Sequence, residues 1–174
     1  FDTGLERNPA NHTPLTPIDF LKRAAEVYGH RLAIVHGPIR QTWAETYTRC
    51  CQLAAALRQL GVGKNTTVAV LLPNTPAMVE AHFGVPMSGG VLCALNTRLD
   101  VDAMVFCLQH GEAQILLVDT EFAAEAKAIQ KQLPELTIVQ VNDVLGPPSA
   151  AFAELDYEAL LQSAQDLNNW VLPD

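Results

Sequence analysis

The sequence predicts an α/β fold: a layered, mostly parallel sheet with helices on both faces, plus an N-terminal β-hairpin. Three observations carry this. Short apolar runs at 68–72, 91–95, 115–119 and 136–141 alternate with segments whose apolar residues recur at helical spacing. Residues that start and stop helices separate the two kinds of segment. Strands linked through intervening helices pair in parallel with right-handed crossovers, which places helices on both sides of the sheet.

The elements follow in order. Residues 1–15, rich in Pro, Asn and Thr, read as an extended arm. Residues 16–145 form the α/β subdomain, and 146–174 a loop–helix tail. Thr16 and Pro17 open a helix in which Ile18, Leu21, Ala24, Ala25 and Tyr28 share a face, and Gly29 closes it. Strands at 31–36 and 39–43 flank the Gly37-Pro38 turn of a hairpin. Thr42 and Glu45 form a capping box for a long helix, striped by Tyr47, Cys50, Cys51, Ala54, Leu57 and Leu60 and stopped at Gly61. After the strand at 68–72, Thr75 is placed to cap a helix whose first residue is Pro76, with Gly84 and Pro86 weakening its far end and Gly89-Gly90 ending it. Asp100 caps a helix through His110, a further helix covers 121–133, and Phe152, Leu155, Leu160 and Leu161 predict a last one over 151–162.

Composition narrows the function. With 174 residues, about one domain is expected. A formal charge of −8 and the absence of any dense Lys/Arg cluster argue against nucleic acid. The apolar runs are too short for a transmembrane segment. Cys50, Cys51, Cys93 and Cys107 have no disulfide-framework spacing and read as reduced thiols, which with the acidic charge favours a cytoplasmic protein.

Few residues promise chemistry. "GVGKNTTVAV" at 61–70 resembles the end of a phosphate-binding loop, but the order is reversed: Gly61 and Gly63 end a helix and lead into a strand. The nearby helix dipole end is negative and repels phosphate. Cys107 and His110 share a helical face and Cys93 is a conceivable third ligand, but a fourth is missing and no metal site is expected. Neither a nucleophile elbow nor a spaced carboxylate pair occurs, so no catalytic residue is assigned. The candidate ligand edge is Asn96, Thr97 and Arg98, just beyond a strand's carboxyl end, where open α/β sheets hold ligands.

Several segments, in order, carry a family resemblance: "TWAE" before the long helix, "GVGKNTTVAVLLPN" at the helix stop and strand, "GGVLCALNTRL" at the next strand end, and "ILLVD". Together they resemble the start of the adenylate-forming AMP-binding superfamily, and "CALNTRL" with "NHTPLTPIDFL" leans toward the acyl-CoA synthetases. Where many relatives carry Gly-Asp before the strand, this chain has Asn65-Thr66-Thr67, which alters only a turn. The resemblance implies the first part of the adenylate-forming fold and an enzyme that activates a carboxylic acid with ATP and Mg, then passes the acyl group to CoA. The family's phosphate loop, adenine motif, ribose-binding Asp and catalytic Lys are expected downstream, because "NNWVLPD" resembles the run just before that loop. Phe1 in place of Met fits a portion of a longer product. On this reading the portion binds no cofactor and is inactive alone, its main partner is the remainder of its own polypeptide, and its uncovered apolar surface favours self-association. The alternative is a stand-alone, non-enzymatic α/β binding module.

Overall fold

The computed structural model describes residues 3, 4, 6–8, 10–12, 15–147 and 150–165. The sequence-based reading of "NNWVLPD" falls at 168–174, outside the described residues. A two-stranded antiparallel sheet pairs β1 (Leu32–His36) with β2 (Ile39–Thr42), and a five-stranded parallel sheet has the order β4-β3-β5-β6-β7. Its strands are β3 (Thr67–Leu71), β4 (Val91–Ala94), β5 (Ala113–Asp119), β6 (Thr137–Val141) and β7 (Leu155–Asp156). Among the described residues the helices are α1 (Pro17–Tyr28), α2 (Trp43–Gln59), α3 (Pro76–Met87), α4 (Val101–His110), α5 (Ala123–Gln132) and α6 (Tyr157–Ser163), with a 3-10 turn at Thr120–Phe122.

The two-residue period of the strands sorts the core into layers. Val68, Val70, Leu72, Ile115, Leu117, Val139 and Val141 pack against Leu53 and Leu57 of α2, Ala81 and Val85 of α3, and Leu161 of α6. Ala69, Leu71, Leu116, Val118 and Ile138, on the other face, pack against Met104, Val105 and Leu108 of α4 and Ala126 and Ile129 of α5. A third cluster joins Ile18 and Leu21 of α1 to Cys50, Cys51 and Ala54 of α2 and Met87 of α3. The α2–α3 contact is close because Gly84 leaves room: a Cβ there would lie 2.7 Å from Leu53 Cδ2.

The predicted caps explain most helix starts. The Thr42 hydroxyl accepts from the Glu45 amide at 3.3 Å, and the Glu45 carboxylate accepts from the Thr42 amide at 2.7 Å. Thr16 and Asp19 make a second such box that the sequence reading did not identify. Gly61, at φ +89°, is the left-handed residue that ends α2. Gly29 closes α1 as expected, in the right-handed region at φ −50°. One expectation needs correction in detail. Thr75 makes no side-chain cap on α3; its hydroxyl only reaches the Pro73 carbonyl at 3.5 Å.

The larger correction concerns the predicted helix at 151–162. Leu155 and Asp156 instead extend the sheet as β7, in register with Val139 and Gln140, and only Tyr157–Ser163 is helical. The Gln140 side chain accepts from the Phe152 amide at 2.9 Å, and Asp156 caps α6 by accepting from the Ala159 amide at 3.0 Å. Phe152 packs with the α4/α5 layer and Leu155 with the α2/α3 layer, so the two belong to opposite faces and not to one helical stripe. Among the described residues no helix is long and apolar enough to cross a membrane.

Candidate functional site

Because the five strands run in parallel, the loops that follow them gather at one edge of the sheet, the edge where such folds take ligands. Asn96, Thr97 and Arg98 lie there, after β4. Asn96 Oδ1 accepts from the Arg98 amide at 3.0 Å and the Asn96 carbonyl accepts from the Leu99 amide at 3.2 Å, so the Asn96 side chain builds the turn that leads to the Asp100 cap. Asn96 and Arg98 are exposed and Thr97 is half-buried. The three do not line the cavity described next.

That cavity, of about 300 Å³, lies between the hairpin, the start of α3, the end of β6 and α6. Gln41, Arg49, Asn142, Asp143, Tyr157 and Glu158 supply its polar lining. Behind it Glu80, a charged residue with 0 % exposure, accepts four hydrogen bonds. They come from Arg49 Nε at 2.5 Å, Arg49 Nη2 at 3.1 Å, the Tyr157 hydroxyl at 2.7 Å and Gln41 Nε2 at 3.2 Å. The outer side of the same guanidinium holds Glu158, Nη2 to Oε1 at 2.5 Å and Nη1 to Oε2 at 3.0 Å. Burial opposes the Arg49 charge, but the two carboxylates outweigh it and hold its pKa above the ordinary value. Burial, reinforced by the Glu80 charge, pushes the Tyr157 phenol well up, so it stays a neutral donor. The neighbouring Cys50 thiol is raised by burial and by the same carboxylate, which makes it unreactive.

A second polar group sits at the ends of β5 and β6. His36 Nε2 meets Asp143 Oδ1 at 2.7 Å and ties the hairpin to the loop after β6. Asp119, 1 % exposed, uses Oδ1 to accept from the Glu121 amide at 2.9 Å, while its buried Oδ2 has no hydrogen-bond partner among the described residues. Burial raises the Asp119 pKa, and the Asp143 and Glu121 charges raise it further against the Glu121 amide bond.

The stretch at 61–64 has no cradle for phosphate. Its amides are spent inside the chain: Gly61 donates to the Arg58 carbonyl at 2.9 Å, Val62 to the Leu57 carbonyl at 3.0 Å, and Gly63 to Thr66 Oγ1 at 3.2 Å. Among the described residues no group of three or more His, Cys, Asp or Glu side chains could hold a metal ion.

Sequence reasoning missed Arg49, Glu80 and Tyr157, as well as His36, Asp119 and Asp143. One signal was available: Glu80 is the only acidic residue in a helix that is apolar but for His82, and a lone carboxylate there needs a partner where it is buried. The pairing of His36 with Asp143 spans 107 residues and leaves no local trace.

The parallel sheet between two helical layers, with its polar groups at the carboxyl edge, defines an open-sheet α/β protein. Within that class, residues 21–170 match the family model described as AMP-binding enzyme, and the chain belongs to that family. Two peroxisomal enzymes of Arabidopsis thaliana, a butyrate–CoA ligase and a benzoate–CoA ligase, are each 44% identical over 162 residues, which is 90% of this chain and 28% of theirs. The acetoacetyl-CoA synthetase of Streptomyces lividans shares the fold at a TM-score of 0.74 and 24% identity, over 86% of this chain and 25% of that one. The chain thus corresponds to the amino-terminal part of an adenylate-forming acyl-CoA synthetase and spans under a third of the length of these relatives.

Proposed function

We propose that the chain is the supporting amino-terminal portion of an acyl-CoA ligase, which joins a carboxylic acid to CoA through an acyl-adenylate at the expense of ATP with Mg. The observation that carries this reading is the 44% identity, over 90% of the chain, to two CoA ligases. In it the 16–145 subdomain supplies sheet and packing, and the groups that hold ATP, Mg and CoA belong to the remainder of the polypeptide, so the portion is inactive alone. The exposed Phe20, Val27, Leu32, Val35 and Phe106 support that role, since apolar surface of this kind is covered in a finished protein or drives self-association. The edge at Asn96, Thr97 and Arg98 is proposed to face the completed site. A cytoplasmic location is part of the same proposal, supported by four free cysteines; the peroxisomal names belong to the relatives.

The test compares this chain with a polypeptide extended to the length of its relatives. Butyrate and benzoate are supplied with ATP, Mg and CoA, and pyrophosphate release is followed. The extended protein is expected to release pyrophosphate and this chain is not. A clear rise in the chain's own Tm on adding ATP would sink the reading, because it would reveal a nucleotide site within these residues.

A further inference from the structure

Arg49 stands between two carboxylates of different character. Glu80, on its inner side, is wholly buried and is also gripped by Gln41 and Tyr157, so the guanidinium is fixed before anything approaches it. Glu158, on the outer side, has a side chain 52% exposed and belongs to the seven-residue helix α6. Its two oxygens take two nitrogens of the planar fork in the paired arrangement that guanidinium groups form with carboxylates. Beside this outer edge lies the cavity of about 300 Å³, at the lower end of the range for small-molecule sites, with Pro76, Ala77, Val141 and Val144 as its apolar lining.

We propose that this cavity is a binding site for a small organic carboxylate, anchored by the outer edge of the Arg49 guanidinium and plugged in the free protein by Glu158. A ligand carboxylate takes the place of that of Glu158 on the guanidinium, so Arg49 keeps a counter-charge in contact while the Glu158 side chain returns to water. The apolar lining then receives the ligand's alkyl or aryl part, which Glu158 does not supply. A cation in the same place would face the guanidinium. Asp143, the other carboxylate of the lining, is engaged with His36 and leaves Arg49 to the ligand. The proposal stands on the geometry of Arg49 and Glu158 and is independent of the ligase reading.

The experiment titrates benzoate into the 15N-labelled chain, as wild type, Glu158→Ala and Glu158→Gln, and follows amide shifts. Removing the plug is expected to tighten benzoate binding about fivefold, the upper end of what an exposed ion pair contributes. The shifts are expected around Arg49, Ala77, Val141 and Val144, and Glu158→Gln, which keeps the side-chain length, should move affinity in the same direction. Inorganic phosphate should compete weakly, because it can engage the fork but brings no apolar part to the lining. Equal affinity in all three proteins, shifts confined to other regions, or phosphate competing as well as benzoate would each overturn the proposal.

Discussion

Arg49 and Glu80 form a side-on ion pair, Nε to Oε1 at 2.5 Å and Nη2 to Oε2 at 3.1 Å, that joins α2 to α3 beneath the carboxyl edge of the sheet. Glu80 is shielded from solvent and Tyr157 of α6 donates to it, so one carboxylate fastens three helices. Truncating it leaves the Tyr157 phenol and the inner side of the Arg49 guanidinium without an acceptor, while Arg49 keeps Glu158 and Gln41 keeps Thr46. Glu80→Ala is expected to cost about 3 kcal/mol, since breaking a buried pair from one side strands its partner. Urea unfolding at neutral pH measures it. Combining it with Arg49→Met should cost clearly less than the sum of the single changes, and strict additivity would show that the pair is not the source of the loss.

Gly84 gives a steric prediction. A Cβ at this position would stand 2.7 Å from Leu53 Cδ2 and 2.9 Å from Leu53 Cβ, and the latter cannot swing aside without moving α2. Overpacking of this kind costs about 1–3 kcal/mol, against the gain of up to about 1 kcal/mol that Ala otherwise brings to a helix interior. Gly84→Ala should therefore lower Tm, and adding Leu53→Ala should recover part of the loss relative to Leu53→Ala alone. A neutral Gly84→Ala would mean that the helices separate freely.

The layered sheet was readable because its signals are local. Runs such as Val68, Ala69, Val70 and Leu71 are apolar throughout, as a strand covered on both faces requires, and Thr42 with Glu45 writes its capping box into four residues. The failure at 151–162 has the opposite cause. Phe152, Leu155 and Leu161 are spaced like a helical stripe, and only the unpaired edge of β6, with its Gln140 side chain, makes residues 155–156 extended. The polar groups of the candidate site were hidden for the same reason: Arg49 lies 31 residues from Glu80 and 109 from Glu158, and His36 lies 107 from Asp143. Tertiary pairing at such distances imposes no period on the sequence.

The cysteines should separate by accessibility. Cys50 and Cys51 are buried in the α1–α2–α3 cluster, and burial pushes both thiols up, away from the reactive thiolate. Cys93 and Cys107 are only half-buried. Timed alkylation of the native chain with iodoacetamide, followed by peptide mass analysis, should modify Cys107 and Cys93 first and leave Cys50 and Cys51 intact until the protein is unfolded. Early modification of Cys50 would mean that the cluster opens at low cost.

Asp119 gives the pH prediction. Its folded-state pKa is raised, chiefly by burial, with the Asp143 and Glu121 charges adding to it. A carboxyl raised on folding binds its proton more tightly in the native state than in the unfolded chain. As pH climbs from the ordinary value of 3.8 through the raised one, the unfolded state loses its proton first and the protein loses stability; above both values the penalty is constant. This runs against Glu45, whose pKa is lowered by the backbone and side-chain hydrogen bonds from Thr42, so that its contribution grows as pH rises towards its ordinary value of 4.5. The measurement is therefore a difference. Asp119→Asn removes the titration but keeps an oxygen to accept from the Glu121 amide, so its stability relative to wild type should rise as pH climbs above the ordinary value of 3.8 and level off once the raised folded-state value is passed. Guanidinium unfolding of both proteins at a series of pH values reads this directly. A flat difference would show that Asp119 ionises in the fold as easily as in water, and that its second oxygen finds a donor when the proton leaves.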